Sequence, residues 1–371
     1  MPINERRSLW RRMRPYLTVF DGPLTLILAF LLGTSLVTLY SASIGIPGKI
    51  EDHLRNIFMA FLVMWFVANI SPQNMMRIAL PAYLFTLLLL LAVAVAGTVK
   101  LGARRWLVLG PMQIQPSEFA KIAVPLMLAW FFQQRQGHLR WHAYAVAAAL
   151  LLIPVALIAK QPDLGTALLV VGSGFAVIFL AGLAWKALLA LFVMGAASLP
   201  VAWSMMHDYQ RERIMTLIDP TSDPLGKGFH IIQSTIAVGS GGIFGKGWTN
   251  GTQAHLEFIP ERTTDFIFAV YSEEFGLVGN MFLMFLYLLL IGRGLMIANG
   301  APNFFTRLLA GAITMIFFTY AFVNMGMVSG ILPVVGVPLP FMSYGGTALL
   351  TLGLGSGILM SIQRHRKLVQ T

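Results

Sequence analysis

The chain has 371 residues, of which 57% are hydrophobic and only 11% charged, and it contains no cysteine. A water-soluble protein of that length could hide so much apolar surface only in an improbably large core, so lipid is the solvent for most of it; zero cysteine removes disulfides, thiolate metal sites and a thiol nucleophile together. A net charge of +11 suits a nucleic-acid binder, yet the basic residues mostly punctuate apolar runs, and this pattern fits a membrane protein without a nucleic-acid partner.

Ten apolar runs follow one another, at 22–42, 53–70, 78–97, 116–132, 142–159, 164–181, 185–206, 265–293, 306–330 and 341–362. Each lies near the roughly 20 residues a helix needs to cross the hydrocarbon layer. They lack the period-two alternation of barrel strands, and lipid cannot satisfy a free backbone, so helices are expected throughout. The second run is short and carries Arg55 and Asn56 near its start. Nothing at the N-terminus reads as a cleavable signal peptide. The expected fold is all-α and polytopic: one membrane domain over 1–371, with a basic arm at 1–21, a large loop at 207–264 and a short tail at 363–371.

Basic residues orient the bundle. With the N-terminus cytoplasmic, fourteen Lys and Arg fall inside, against six in the short outer loops. An even number of spans then returns the C-terminus to the cytoplasm, and the N-terminal arm rests on anionic membrane lipid. The 58 residues from His207 to Thr264 lie outside. Within them, Tyr209, Ile214, Leu217 and Ile218 suggest an amphipathic stretch, and FHIIQSTIAV over 229–238 suggests a second helix at the interface.

Charged groups at membrane depth cost about 2.5–3.5 kcal/mol each on insertion scales, so each needs a partner or a cavity. QPSEFAK over 115–121 opens the fourth span, with Pro116 suited to a first turn and Glu118 and Lys121 three residues apart. The pair either braces the bundle or offers Lys121 to an anion in an outward cavity. GARRW over 102–106 is either an interfacial anchor or, through Arg104 and Arg105, a phosphate fork. QPDLGT over 161–166 puts Asp163 at the first turn of the sixth span, where an acid also favours the helix dipole.

The richest group is EFIPERTTDFIF over 257–268, where Glu257, Glu261, Arg262 and Asp265 converge as the chain enters the membrane, with Glu273 and Glu274 following. A carboxylate in a partly apolar, open site has its pKa pushed upward, as suits a general base. Capping by Thr263 or Thr264 would explain the threonines but not the surplus of acid. Other motifs fail. GIFGKGW over 242–248 lacks the Ser or Thr and the strand of a P-loop, leaving a phosphate nest or a plain flexible loop. The seven histidines have no metal-ligand spacing.

Taken together, these segments resemble the SEDS family (shape, elongation, division and sporulation). The likeness runs through GARRW, QPSEFAKIAVP at 115–125, QPDLGT, HDYQRERIMTLIDPTSDPLGKGFHIIQS at 207–234, GSGGIFGKGW at 239–248, LEFIPERTTDFIFAVYSEEFG at 256–276 and GILPVVGVPLPFMSYGGT at 330–347. The longer termini typical of the family's division branch are absent, so the elongation branch is the nearer.

The resemblance implies a peptidoglycan glycosyltransferase that polymerises lipid II on the outer face of the bacterial cytoplasmic (inner) membrane. It also implies a class B penicillin-binding protein as crosslinking partner, within the MreB-associated elongation complex. The family's essential acid falls on Asp265, and its other functional positions match Arg105, Glu118, Lys121 and Asp163. Making a β-1,4 bond from an α-linked sugar pyrophosphate inverts the centre, so one in-line displacement suffices. Asp265 is then the expected base, Arg105 and Lys121 the cations for departing pyrophosphate, Glu118 the group orienting Lys121, and Glu261 a holder of metal or acceptor. A divalent cation such as Mg or Mn would serve the same end, with Asp265 as a ligand the open alternative; no nucleotide or organic cofactor is expected.

Two other classes compete. A lipid II flippase would also need polar groups in a ten-helix bundle, but its site belongs near the midplane, whereas these clusters map to span ends. A non-catalytic scaffold for the crosslinking enzyme leaves the carboxylates unexplained. A single-span partner is expected to pack on the eighth or ninth span, where Gly311, Ala312 and Gly326 would admit a helix.

Overall fold

The computed structural model describes residues 19–366 apart from 101–102, 110–111, 138, 207, 224–225, 227, 257 and 260. The basic arm before residue 19, the end of the C-terminal tail and the expected contribution of Glu257 therefore lie outside the described residues.

Each apolar run becomes a helix: α1 (Gly22–Ala42), α2 (Lys49–Ala68), α3 (Pro72–Ala96), α4 (Pro116–Gln133), α5 (Trp141–Ala159), α6 (Leu164–Leu180) and α7 (Trp185–Met205). After α7 come two helices where the long loop was expected to hold them, α8 (Asp208–Ile218) and α9 (Phe229–Ser240), and a single turn, α10 (Thr252–His255). The last spans are α11 (Ile267–Asn299), α12 (Phe304–Val328) and α13 (Gly346–Arg366). By length and composition alone, α1, α3, α5, α11, α12 and α13 can cross a membrane. The shortfall elsewhere has causes visible in the residues: α2 opens on Lys49, Glu51, Asp52 and Arg55, α4 carries Glu118 and Lys121, and α6 is only 17 residues long.

The helices alternate in direction, so one end of the bundle gathers the entries to α2, α4, α6, α11 and α13. Most of α4 and α12 is buried, and these two helices form the centre. Helix α7 is exposed along almost its whole length. At the opposite end the bundle is closed by Arg293, whose Nη2 meets the Asp21 carboxylate at 2.5 Å, and by Arg364 donating to the Asn69 side chain.

Two departures from expectation concern glycine and strand. Residues 98–114 form a three-stranded antiparallel ribbon, β1 (Thr98–Lys100), β2 (Ala103–Leu109) and β3 (Met112–Ile114), with Trp106 opposite Thr98 and Leu107 opposite Ile114. Alternation along β2 sets Arg105 and Leu107 on one face. Gly311, Ala312 and Gly326 do not form an open landing strip. Gly311 and Ala312 are buried, Gly311 against Leu180 of α6, and Gly326 accommodates Leu332.

The glycine run at 239–248 is neither a phosphate nest nor a loose loop. It threads against a break in α11, where Gly276 takes φ 62 and ψ −158. Lys246 N–H donates to Glu273 O and Gly247 N–H to Glu274 O, both at 3.0 Å, while Leu277 and Val278 donate back to Gly242 and Ile243. A Cβ on Gly245 would stand 2.1 Å from Glu274 O. Only glycine permits that approach. The acids at 273 and 274 serve this splice: Glu273 accepts from Lys246 Nζ at 2.6 Å and from the amides of Thr252 and Gln253, and Glu274 accepts from Ser41.

Candidate active site

Three polar groups meet at the end of the bundle that gathers the long loop. The first is built on Asp163, the N-cap of α6, whose Oδ1 accepts the Thr166 amide at 3.3 Å. Its Oδ2 accepts from Gln115 Nε2 at 3.1 Å and Ser117 Oγ at 3.3 Å, which ties α6 to the first turn of α4. Arg105 reaches over from the ribbon, with Nη1 4.0 Å from Asp163 Oδ1, Nε on Gln161 O at 3.3 Å, and Nη2 on Pro162 O. The Arg105 side chain is still 31% exposed. Gln161 is fixed in turn by donating to Leu90 O on α3.

The second group lies deeper. Lys121 Nζ sits 2.5 Å from Glu118 Oε1 and 2.5 Å from the Tyr320 hydroxyl of α12, and Thr351 of α13 donates to Glu118 Oε2 at 3.0 Å. Lys121 is only 2% exposed. The ammonium points inward, to Glu118 and Tyr320, and the pair joins three helices. A buried pair of this kind adds little net stability, but removing one partner strands the other charge at a cost of about 3–5 kcal/mol.

The third group is the turn before α11. Glu261, at φ 51, begins it; its carbonyl accepts the amides of Thr264 and Phe266, and its carboxylate accepts the Thr264 hydroxyl at 2.8 Å. The threonines do not cap α11, whose N-cap is Phe266. Thr264 instead holds Glu261. Arg262 donates to Ala42 O and Ile44 O, pinning the turn to the end of α1. Asp265 follows, half-buried, with no cation or side-chain donor on its carboxylate among the described residues. Burial, and then the neighbouring Glu261 charge, push its carboxyl up from 3.8 to about 6.

The segment 329–344 connects these groups. A Cβ on Gly336 would stand 3.3 Å from Asp265 Oδ2, and one on Gly165, two residues after Asp163, would stand 2.7 Å from Val335 O. Asp265 and Asp163 thus flank the same loop. Asn324 of α12 donates through Nδ2 to Asp265 O at 2.8 Å and to Val337 O at 2.7 Å, locking loop and turn together.

Sequence reasoning weighed only charged groups in the spans and passed over Tyr320 and Asn324. They stand four apart on α12, so they share a face, and an amide buried in an apolar span was itself the signal. His230 was passed over as well. It lies on α9 with its ring stacked 5.8 Å from Phe266, and burial lowers its pKa against the opposing pull of Glu261. Among the described residues no three His, Cys, Asp or Glu side chains converge to hold a metal ion.

Similarity to known proteins follows the same boundaries. The family profile of FtsW, RodA and SpoVE, described as cell cycle protein, matches residues 23–368. The peptidoglycan glycosyltransferase MrdB of Escherichia coli K12 is 49% identical over 365 residues, covering 98% of this chain and 97% of its own. The peptidoglycan glycosyltransferase RodA of Treponema pallidum is 30% identical, over 94% and 98%. Among solved structures, a chain from work on the coordination of polymerization and crosslinking by a peptidoglycan synthase complex superposes with TM-score 0.82 at 36% identity, over 95% of this chain and 99% of that one. The rod shape-determining protein RodA of Thermus thermophilus gives 0.71 at 30% identity, over 94% and 97%.

Proposed function

The chain belongs to the FtsW–RodA–SpoVE family, and on that premise we propose that Asp265 is the general base with which it polymerises lipid II. The protein is a multi-pass membrane peptidoglycan glycosyltransferase of the elongation type. The observation that carries the role of Asp265 is its place: half-buried beside Glu261, it has no cation among the described residues, whereas Glu118 has Lys121, Asp163 has Arg105 and Glu273 has Lys246.

The acceptor's 4-hydroxyl must lose its proton as it attacks the anomeric carbon of the donor sugar. A carboxylate with a pKa near 6 is ionised at neutral pH yet basic enough to accept that proton, an effect worth about 10²–10⁴ in rate. The departing undecaprenyl pyrophosphate carries charge away from the same carbon. Arg105 stays partly exposed where Lys121 is buried, so it is the cation that receives the pyrophosphate. Glu118, Lys121 and Tyr320 hold the floor beneath it, and Asp163 and Gln115 hold the ribbon and α4 in register with it.

A divalent cation held by Glu261 would supply further charge neutralisation at the pyrophosphate and leave Asp265 free to take the proton. The active site faces the periplasm, at the end of the bundle that gathers the long loop, as the distribution of basic residues supports. A class B penicillin-binding protein crosslinks the product, consistent with the synthase complex that resembles this chain, and the pair works within the MreB-associated machinery.

The test uses the protein purified with its crosslinking partner and given labelled lipid II. Wild type should build long strands and Asp265→Ala none, at matched folding. Equal polymerisation by the variant would remove Asp265 from the chemistry.

A further inference from the structure

Helix α2 opens on an unusual face for a span. Lys49, Asp52, His53 and Asn56 fall at the spacing that places side chains along one helix stripe. All four meet the turn that leads into α13 or its support. Lys49 Nζ lies 4.0 Å over the Tyr344 ring, the Asp52 charge acts on the Tyr344 hydroxyl, and the Asn56 amide lies 3.2 Å from where a Cβ on Gly346 would stand.

His53 is the buried member, with no exposed surface. Its Nε2 is 2.9 Å from Ser35 Oγ of α1, and Ser35 Oγ donates to Met342 O at 2.7 Å. A serine has one proton, and here it points at a carbonyl, so its oxygen accepts from His53. That fixes the neutral imidazole with hydrogen on Nε2 and leaves Nδ1 a bare acceptor, buried and unpartnered among the described residues. A leucine would fill the same place at less cost, because a polar group at membrane depth is expensive.

What His53 and Ser35 hold is the turn at 341–344. Phe341 sits at φ 62, a conformation a phenylalanine keeps only when its surroundings impose it. The next residues grip the approach to Asp265: Ser343 Oγ donates to Thr264 O at 2.6 Å, and Tyr344 N–H to Thr263 O at 2.8 Å. An unbroken chain of contacts runs from His53 through Ser35 to Met342, and from Ser343 and Tyr344 to the two peptides preceding Asp265.

We infer that His53 is a positioning residue for Asp265, acting through Ser35 and the 341–344 turn to aim the carboxylate at the acceptor hydroxyl. The inference rests on Asp265 being the base.

Displacing a catalytic group by about 1 Å can cost on the order of 100-fold. In the complex with the crosslinking partner, His53→Ala and Ser35→Ala should therefore lower kcat for strand synthesis by about 10- to 100-fold. KM for lipid II should stay within about twofold, because Arg105 and Asp163 stand on other elements. His53→Gln, whose amide can still donate to Ser35, should recover kcat to within about threefold, whereas His53→Phe fills the space without a donor and should not. Recovery by Phe equal to that by Gln would make the site one of shape alone and overturn the inference, as would alanine variants with wild-type kcat. A variant that fails to fold leaves the Gln and Phe pair to decide. If Asp265→Ala polymerises at the wild-type rate, the underlying reading falls and this one with it; if Asp265→Ala is dead while His53→Ala is normal, only this inference falls.

Discussion

Gly336 packs directly on Asp265: with φ 72 it bares its backbone to the carboxylate, and a Cβ there would stand 3.3 Å from Oδ2. The two residues are 71 positions apart in sequence and are brought together by Asn324, which bonds the backbone on both sides of the contact. Gly336→Ala would meet two penalties, about 1–2 kcal/mol for a left-handed alanine and a methyl group crowding the base. A fall in kcat of about tenfold is expected with KM little changed, since the strain acts where the proton moves. Steady-state kinetics on labelled lipid II checks it, and a rise in KM alone would place Gly336 at the donor site instead.

The pKa of Asp265 sets the acid limb of activity. Only the ionised carboxylate accepts a proton, so kcat/KM should rise with pH through about 6 and level off above it. Stability should run the other way. The carboxyl is raised in the folded state, from 3.8 to about 6, so its ionisation opposes folding. Asp265→Asn removes that cost. Its thermal midpoint should exceed that of the wild type above pH 6, with the gap closing as pH falls toward 3.8 and absent below it. Thermal scans at pH 8, 6 and 4 would show this; a gap that widens on acidification refutes the desolvated carboxylate.

Arg105 should not tolerate lysine. Its fork spans Gln161 O, Pro162 O and the Asp163 carboxylate while the side chain stays partly exposed, which a single ammonium cannot copy. Arg105→Lys is expected to lose at least about tenfold in kcat/KM, close to Arg105→Ala. Dose–response with lipid II separates the outcomes, and full activity of the lysine variant would reduce Arg105 to a point charge.

Most of the architecture was legible because lipid imposes it. Ten apolar runs gave ten helices within a few residues, and both helices of the long loop appear where their apolar periodicity put them. The ribbon at 98–114 was not legible: three short strands pair with one another, and no single strand is long enough to show its alternation. The glycine run at 239–248 was misread for a related reason. Its purpose is set by the break at Gly276, some thirty residues away, and nothing local announces that approach. Within the site, charged residues were visible because they are costly in a span. The neutral partners that position them, Asn324, Tyr320 and Ser35, carry no such mark.

The Glu118–Lys121 pair separates bracing from anion binding. Lys121→Met alone leaves Glu118 buried with only Thr351, and should destabilise the bundle by about 3–5 kcal/mol. Adding Glu118→Gln removes the stranded charge, so the double variant should recover much of the thermal midpoint lost by the single one. If Lys121 only braces the floor beneath Arg105, strand synthesis should recover together with folding. Should the double variant fold as well as wild type yet polymerise no better than Lys121→Met, the ammonium itself would be needed by the substrate, and the inward geometry would have to open during turnover.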